Sequence, residues 1–261
     1  MLETTPAADR ATLETITAVH HWTDSLYSFK TTRPQEFRFT PGQYARLGLA
    51  DDKGIMLWRA YSIVSSAEDD CLEFYVIDVP GGAFTGLLKQ CSAGDSIWID
   101  RQSFGFMTVD RFADGDELWM LATGTGLGPF ISILQEPDVW QRFHHLVLVH
   151  SVRHASELAY HDQLKTLAQS PRFANAQATL HVVQTVTRDP DSTHLHGRIT
   201  TLLENGDLER HVGLPLKVET SRVMLCGNPQ MIEDTRKLLH QRGMRPCRRA
   251  LPGQFVTENY W

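Results

Sequence analysis

No apolar run in this chain of 261 residues approaches the 18 or so residues that a membrane-crossing helix needs. The longest tight run is Leu146-Val147-Leu148-Val149. The opening M-L-E-T-T-P-A-A-D-R is polar and carries acids, so neither a signal peptide nor a transit peptide is expected, and a cytoplasmic location follows. Cysteine is scarce. Cys71, Cys91, Cys226 and Cys247 lie far apart, with no C-x-x-C and no C-x4-C-x2-C, which excludes the common iron–sulfur spacings. Redox chemistry in this chain would have to use an organic cofactor. A G-x-S-x-G elbow and an H-E-x-x-H zinc motif are also missing. The pairs His20-His21, His144-His145 and His194/His196 read as composition, and no metal is expected.

A formal charge of −6 argues against a general nucleic-acid binder. One basic stretch departs from it: Q-R-G-M-R-P-C-R-R brings Arg242, Arg245, Arg248 and Arg249 together. That stretch is either a solvated face or a docking patch for an acidic partner. Hydrophobic and charged fractions of 42% and 21% are those of an ordinary globular protein. The length suits two modest domains, each with its own core.

The texture changes once along the chain. Early segments such as Y-A-R-L-G-L, R-A-Y-S-I-V, L-E-F-Y-V-I-D-V and S-I-W-I-D are aromatic or β-branched and are separated by T-P-G-Q, D-D-K-G, P-G-G and S-A-G-D. Short strands at that spacing predict an antiparallel barrel or sandwich, with one short helix around Phe84–Lys89. After Phe106, continuous apolar strands (E-L-W-M-L-A-T-G, H-L-V-L-V-H-S-V, T-L-H-V-V-Q-T-V, R-V-M-L-C-G) alternate with helical stretches. That alternation predicts a doubly wound parallel sheet. The change falls near residues 110–116, giving domains of 1–110 and 111–261.

Four motifs carry chemistry. T-G-T-G-L-G-P, residues 123–129, follows a strand and opens a helix, where backbone N–H groups can approach a pyrophosphate. Pro129 stands where the dinucleotide fingerprint has its last glycine, so the turn alone is also compatible with a purely structural role. The next strand ends Ser151-Val152-Arg153, without the acid that usually binds a ribose 2′-hydroxyl. Arg188 ends the third strand and Arg198 follows. Three arginines at one sheet edge favour a 2′-phosphate, hence NADP. In R-A-Y-S, residues 59–62, Arg59 and Tyr61 share a strand face and offer a cation beside a flat ring. C-G-N-P places Cys226 at a helix start, as a nucleophile or as a compact contact for a bound ring. The chain then ends E-N-Y-W, two large aromatics where most chain ends are polar.

R-A-Y-S, G-T-G-L-G-P, V-R-H-A-S-E-L-A-Y, C-G-N-P-Q-M and E-N-Y-W, in that order, resemble the bacterial ferredoxin (flavodoxin)–NADP reductases from about residue 16 onward. The ending and W-T-D-S-L-Y are most similar to the enterobacterial subgroup. The resemblance implies an antiparallel β-barrel FAD-binding domain followed by an α/β doubly wound parallel-sheet NADP-binding domain. It also implies that Arg59 holds the FAD diphosphate with Ala60 alongside, Tyr61 stacks on the isoalloxazine and Ser62 sits near flavin N5. Tyr75 and the turn Ala83-Phe84-Thr85 touch the rest of the FAD, and Thr125 lies between flavin and nicotinamide. Arg153, Arg188 and Arg198 take the 2′-phosphate side of NADP, while Cys226 and Glu258 line the nicotinamide pocket. Tyr260 covers the second flavin face as a gate, and Trp261 lies near the adenine. Hydride transfer would then need Tyr260 to move, with Ser62, Cys226, Glu258 and Tyr260 around the reacting atoms.

By the same resemblance the partner is an acidic ferredoxin or flavodoxin, and the protein is a soluble monomer that binds neither nucleic acid nor membrane. An oxygenase reductase and a free-flavin reductase use the same two-domain module. The first commonly carries a fused iron–sulfur domain, for which the cysteines are missing. An FAD-binding regulatory subunit or a plain NADP sensor would be non-catalytic, and a flavin spectrum separates the sensor from the rest.

Overall fold

The computed structural model describes residues 10–167, 169–189, 192–193, 195–249 and 251–259. The expectations for Tyr260, Trp261 and His194 lie outside the described residues.

Six strands open the chain: β1 (Ala11–His21), β2 (Leu26–Thr32), β3 (Tyr44–Ala50), β4 (Met56–Ser62), β5 (Cys71–Ile77) and, after helix α1 (Ala83–Leu88), β6 (Ser96–Phe104). They pair antiparallel in the order β4-β3-β6-β1-β2-β5. Their sequences alternate in the manner a half-buried strand requires, successive side chains pointing to opposite faces. Tyr27 and Phe29 turn inward, as do Ala45, Leu47 and Leu49, Leu72, Phe74 and Val76, and Ile97 and Ile99. Each large apolar side chain taken fully out of water contributes roughly 1.5–3 kcal/mol. An antiparallel bridge between Ile63 and Phe74, with the Val64 N–H donating to the Glu73 carbonyl at 2.8 Å, joins the two ends of the sheet and closes the barrel. Closure removes the free edges that an open sheet would present.

The second half alternates strands and helices: β7 (Glu117–Thr123), α2 (Gly128–Leu134), α3 (Pro137–Arg142), β8 (His145–Val152), α4 (His161–Leu167), β9 (Thr179–Val186), β10 (Leu195–His196), α5 (Ile199–Glu204), α6 (Asp207–Val212), β11 (Ser221–Gly227), α7 (Pro229–Gln241) and β12 (Phe255–Asn259). The strands form one parallel sheet, β10-β9-β8-β7-β11-β12. Because both faces are covered, their sequences are continuous apolar runs whose alternate residues enter different cores. Leu118, Met120, Leu146 and Leu148 pack with Phe130, Trp140 and Leu164 of α2, α3 and α4. Trp119, Leu121, Val147 and Val149 pack with Leu202, Leu208 and Leu239 of α5, α6 and α7. The fold class expected from the sequence is the one found.

The sheet is wider than the four strands read from the sequence. β10 is only two residues long, and β12 occupies a stretch that reads as a tail. The order reverses at β7, from which β8 to β10 run one way and β11 and β12 the other. A crevice beyond the carboxyl ends of the strands at such a reversal is where doubly wound sheets bind ligands. The barrel abuts this region: Leu26, Val64, Tyr75 and Met107 belong to the same core as α2. The Ser132 hydroxyl donates to the Ser65 carbonyl at 2.7 Å, and the Gln135 amide to the Val64 carbonyl at 2.9 Å. Among the described residues no helix is long and apolar enough to cross a membrane.

Candidate active site

A cavity of about 440 Å³ lies at the end of β4, between the barrel and the start of α2. Arg59, Ala60, Tyr61 and Ser62 form one wall, Tyr75 to Ile77 a second, and the turn from Gly82 to Thr85 a third. Thr125, contributed by the glycine turn after β7, completes it. Arg59, Ala60, Tyr61, Ser62, Tyr75, the turn Ala83-Phe84-Thr85 and Thr125, all expected around FAD, are thereby brought together from segments up to 66 positions apart in the chain, Arg59 to Thr125. Strand alternation puts Arg59 and Tyr61 on the same side of β4, and Ser62, buried at the end of the strand, lines the same cavity. The Arg59 guanidinium is exposed and donates to its neighbour's carbonyl, that of Trp58, at 2.8 Å.

The ring of Tyr61 packs against that of Phe84, with centroids 5.7 Å apart, so Phe84 braces the platform. Burial pushes the Tyr61 phenol up to about 12, against the pull of Arg59, and the ring is a neutral surface at any working pH. Thr85 bonds into its own turn, its hydroxyl reaching the carbonyls of Val79 and Gly82 at 3.3 Å. α1 begins without a side-chain cap, leaving the first backbone N–H groups of that turn available.

Two polar atoms of the site are buried without a hydrogen-bond partner among the described residues, the Ser62 hydroxyl and the Tyr75 phenol. Both residues line the cavity, where a ligand with complementary donors and acceptors would satisfy them. A flavin nucleotide fits them: a ring system for Tyr61, polar ring edges for Ser62 and a phosphate for Arg59.

The second half of the site is the carboxyl edge of the parallel sheet. Gly124–Leu127 form a tight 3-10 turn between β7 and α2. Gly126 approaches the end of β11 so closely that a Cβ on it would lie 2.4 Å from the Cys226 carbonyl oxygen. No other residue fits there without separating β7 from β11. The Thr123 hydroxyl accepts from the Asn228 N–H at 2.7 Å. Cys226 is fully buried at the end of β11. Glu258 stands beside it on β12, in register with Cys226. Burial raises the Glu258 carboxyl from its ordinary 4.5 to about 7, and Oε2 is a third buried atom without a partner among the described residues. The carboxylate lies against Gly105, where a Cβ would be 3.1 Å from Oε1.

The three arginines fall on the first residues past three adjacent strands. Arg153 follows β8, Arg188 lies two beyond β9, and Arg198 two beyond β10. The ladder runs on between them, the Arg188 N–H donating to the Arg153 carbonyl at 2.9 Å. All three side chains are exposed. Asp189, an acid at this edge, is turned aside. It accepts from the Ala155 N–H at 2.7 Å and from His154 Nδ1 at 2.9 Å, and those bonds hold its carboxyl below its ordinary range.

Not everything legible as a group stays one. Arg242 is drawn out of the four-arginine run: it donates to Glu209 at 2.8 Å and to the Leu203 carbonyl at 2.6 Å, tying α7 to α5 and α6. Arg245, Arg248 and Arg249 remain exposed. Sequence reasoning also passed over His150, which is fully buried beneath the glycine turn. Its only signal was a histidine inside an otherwise apolar strand.

A barrel whose cavity offers a cation, an aromatic platform and unpartnered polar groups, joined to a parallel sheet with a glycine turn and arginines at its edge, defines the two-domain reductases that couple a flavin to a nicotinamide nucleotide. Family descriptions match accordingly, the oxidoreductase FAD-binding domain over residues 10–102 and the oxidoreductase NAD-binding domain over residues 120–237. The chain is 39% identical over 264 residues to the flavodoxin/ferredoxin–NADP reductase of Rhodobacter capsulatus, covering 99% of this chain and 97% of that one. It is 41% identical over 247 residues to the enzyme of the same name from Escherichia coli K12, covering 94% and 97%. A crystal structure of a ferredoxin NADP+ reductase from Neisseria gonorrhoeae, with FAD and NADP bound, superposes with a TM-score of 0.89 at 37% identity, over 96% of this chain and 99% of that one. The chain belongs to the bacterial flavodoxin/ferredoxin–NADP reductase family.

Proposed function

We propose that this protein moves a hydride between NADPH and a bound FAD and exchanges single electrons with a ferredoxin or flavodoxin. The observation that carries the reading is the meeting of two nucleotide sites at Thr125, which belongs to the glycine turn and also lines the cavity of Tyr61, Ser62 and Tyr75. FAD supplies the chemistry when bound, accepting two electrons as hydride and releasing them one at a time.

The chain's own residues bind and align. Arg59 and the N–H groups of Ala83, Phe84 and Thr85 hold the diphosphate, with Ala60 at its side. Tyr61, braced by Phe84, supports the ring system, and Ser62 offers a hydroxyl at its reactive edge. Tyr75 donates its phenol to the remainder of the cofactor. Arg153, Arg188 and Arg198 grip the 2′-phosphate, while Cys226 and Glu258 shape the nicotinamide pocket. Glu258, neutral below about pH 7, keeps a proton close to that pocket. Tyr260 and Trp261 complete the reading as the outer flavin cover and the adenine contact. The division between the domains is placed at residues 110/111, and the protein is taken to act as a cytoplasmic monomer. One absorption spectrum before and after anaerobic NADPH tests the core of this. Flavin bands near one per chain that bleach with NADPH, and far less with NADH, are expected; a protein that stays colourless after incubation with FAD would sink the reading.

The carrier is acidic in this reading, and Arg245, Arg248 and Arg249 face it. The surface there is not purely charged: Leu251 and Phe106 are each 62% exposed, and Arg111 lies over the Phe106 ring at 4.9 Å. Reversing Arg248 and Arg249 to Glu is expected to slow carrier reduction about tenfold at low salt and to flatten its salt dependence. Dye reduction by NADPH should be unchanged. Equal loss of both activities would place the damage at a nucleotide site instead.

A further inference from the structure

His150 sits on β8 between Ala122 of β7 and Gln184 of β9. It is fully buried, and its Nε2 is 3.1 Å from the Gly124 carbonyl oxygen. A carbonyl only accepts, so Nε2 carries the hydrogen. Burial holds the ring neutral, its pKa pulled down to about 4, and leaves Nδ1 as a lone pair without a partner among the described residues. The imidazole is therefore a fixed donor aimed at one atom of the glycine turn.

That atom controls a second one. In a trans peptide the carbonyl oxygen of one residue and the N–H of the next point in opposite directions within one plane. Holding the Gly124 oxygen down onto the sheet turns the Thr125 N–H outward, toward the crevice. The 3-10 bonds of Gly124–Leu127 hold this peptide from within the turn, and the His150 bond anchors its oxygen from the sheet below, while the Asn228 N–H holds Thr123 and Gly126 rests on the Cys226 carbonyl. Gly124 itself has φ +53 and no contact that a Cβ would disturb, so the turn has no steric stop at that residue. We propose that His150 is a positioning residue for nicotinamide-nucleotide binding, setting the direction of the Thr125 N–H through its bond to Gly124. This rests on the reading that the turn receives that nucleotide.

The test is NADP+ binding to the purified, flavin-loaded protein by calorimetry. His150→Leu removes the donor and is expected to weaken NADP+ about tenfold, with FAD content and visible spectrum retained. His150→Gln keeps an N–H donor at similar reach and is expected to stay within about threefold of the original. A lower melting temperature with unchanged NADP+ affinity in His150→Leu would reduce the residue to a stabilising one and overturn the proposal. If that variant does not fold, imidazole nitrogen NMR of the unaltered protein decides. An Nε2-protonated ring whose signals shift on NADP+ binding supports the role, and an Nδ1-protonated or unresponsive ring overturns it. Should the unaltered protein bind no NADP+, the reading of the turn itself fails and this inference falls with it. Tight binding by both the unaltered protein and His150→Leu would refute only His150.

Discussion

Replacing Arg153 and Arg188 together with Ala is expected to lower kcat/KM for NADPH by about a thousandfold while changing the NADH value only a few-fold. Both side chains stand free of ion pairs among the described residues, so removing them leaves no buried acid behind. Each can give a phosphate a charge-assisted bond worth roughly 1.5–3 kcal/mol. Two such bonds amount to about 3–6 kcal/mol, or roughly two to four decades in affinity. NADH lacks the phosphate and loses only a distant electrostatic attraction. Steady-state rates with a small dye as acceptor measure this without the carrier. The architecture makes the pair act as a unit: Glu157 accepts the backbone N–H groups of Arg153 and His154 at 2.9 and 3.1 Å. Asp189, bonded to Ala155 and His154, ties the end of β9 to the same loop. Equal losses with NADH and NADPH would mean that the arginines grip the part common to both, leaving Arg198 as the phosphate ligand.

The first cavity wall could be read from the sequence because the strand period does the placing. Two residues apart on β4 means the same face, so Arg59 and Tyr61 had to appear together. The arginine edge was legible for a related reason: a parallel sheet aligns its carboxyl ends, so residues just after successive strands become neighbours however far apart they are in sequence. Tyr75 and the turn at Ala83 were carried by resemblance alone, since nothing in L-E-F-Y distinguishes a residue facing a cavity from one facing the barrel core. The misreadings have physical causes as well. F-V-T-E-N has too few apolar residues to announce a buried strand, yet Phe255 and Val256 enter opposite cores and the segment pairs parallel with β11. Glu258 thus belongs to a sheet rather than a loose tail. Arg242 looks like its three neighbours until the end of α7 sets it against Glu209. Composition records a charge but not the partner that tertiary packing brings to it.

Glu258 gives the second large expectation, a stability that falls with rising pH and ceases to do so in Glu258→Gln. In the unfolded chain the carboxyl ionises near 4.5, and in the folded protein burial raises it to about 7. Between those values the folded state keeps a proton that the unfolded state has lost, so stability must decline as pH rises through the window. The decline is complete above pH 7 and reaches about 3 kcal/mol at most, since each tenfold difference in proton affinity between the two states is worth ~1.36 kcal/mol. Gln has nearly the same shape and never ionises. Every other titrating group is common to the two proteins and cancels in their difference. Urea unfolding at pH 5 and pH 8 should therefore show Glu258→Gln gaining about 2–3 kcal/mol on the parent between the two pH values. The flavin-loaded and flavin-stripped proteins should share the sign of this change, because the burial arises from Gly105 and the β11–β12 pairing within the chain itself. A difference independent of pH would show that the carboxylate is ionised and partnered in the folded protein, and Glu258 would then offer the nicotinamide pocket a fixed negative charge instead of a proton.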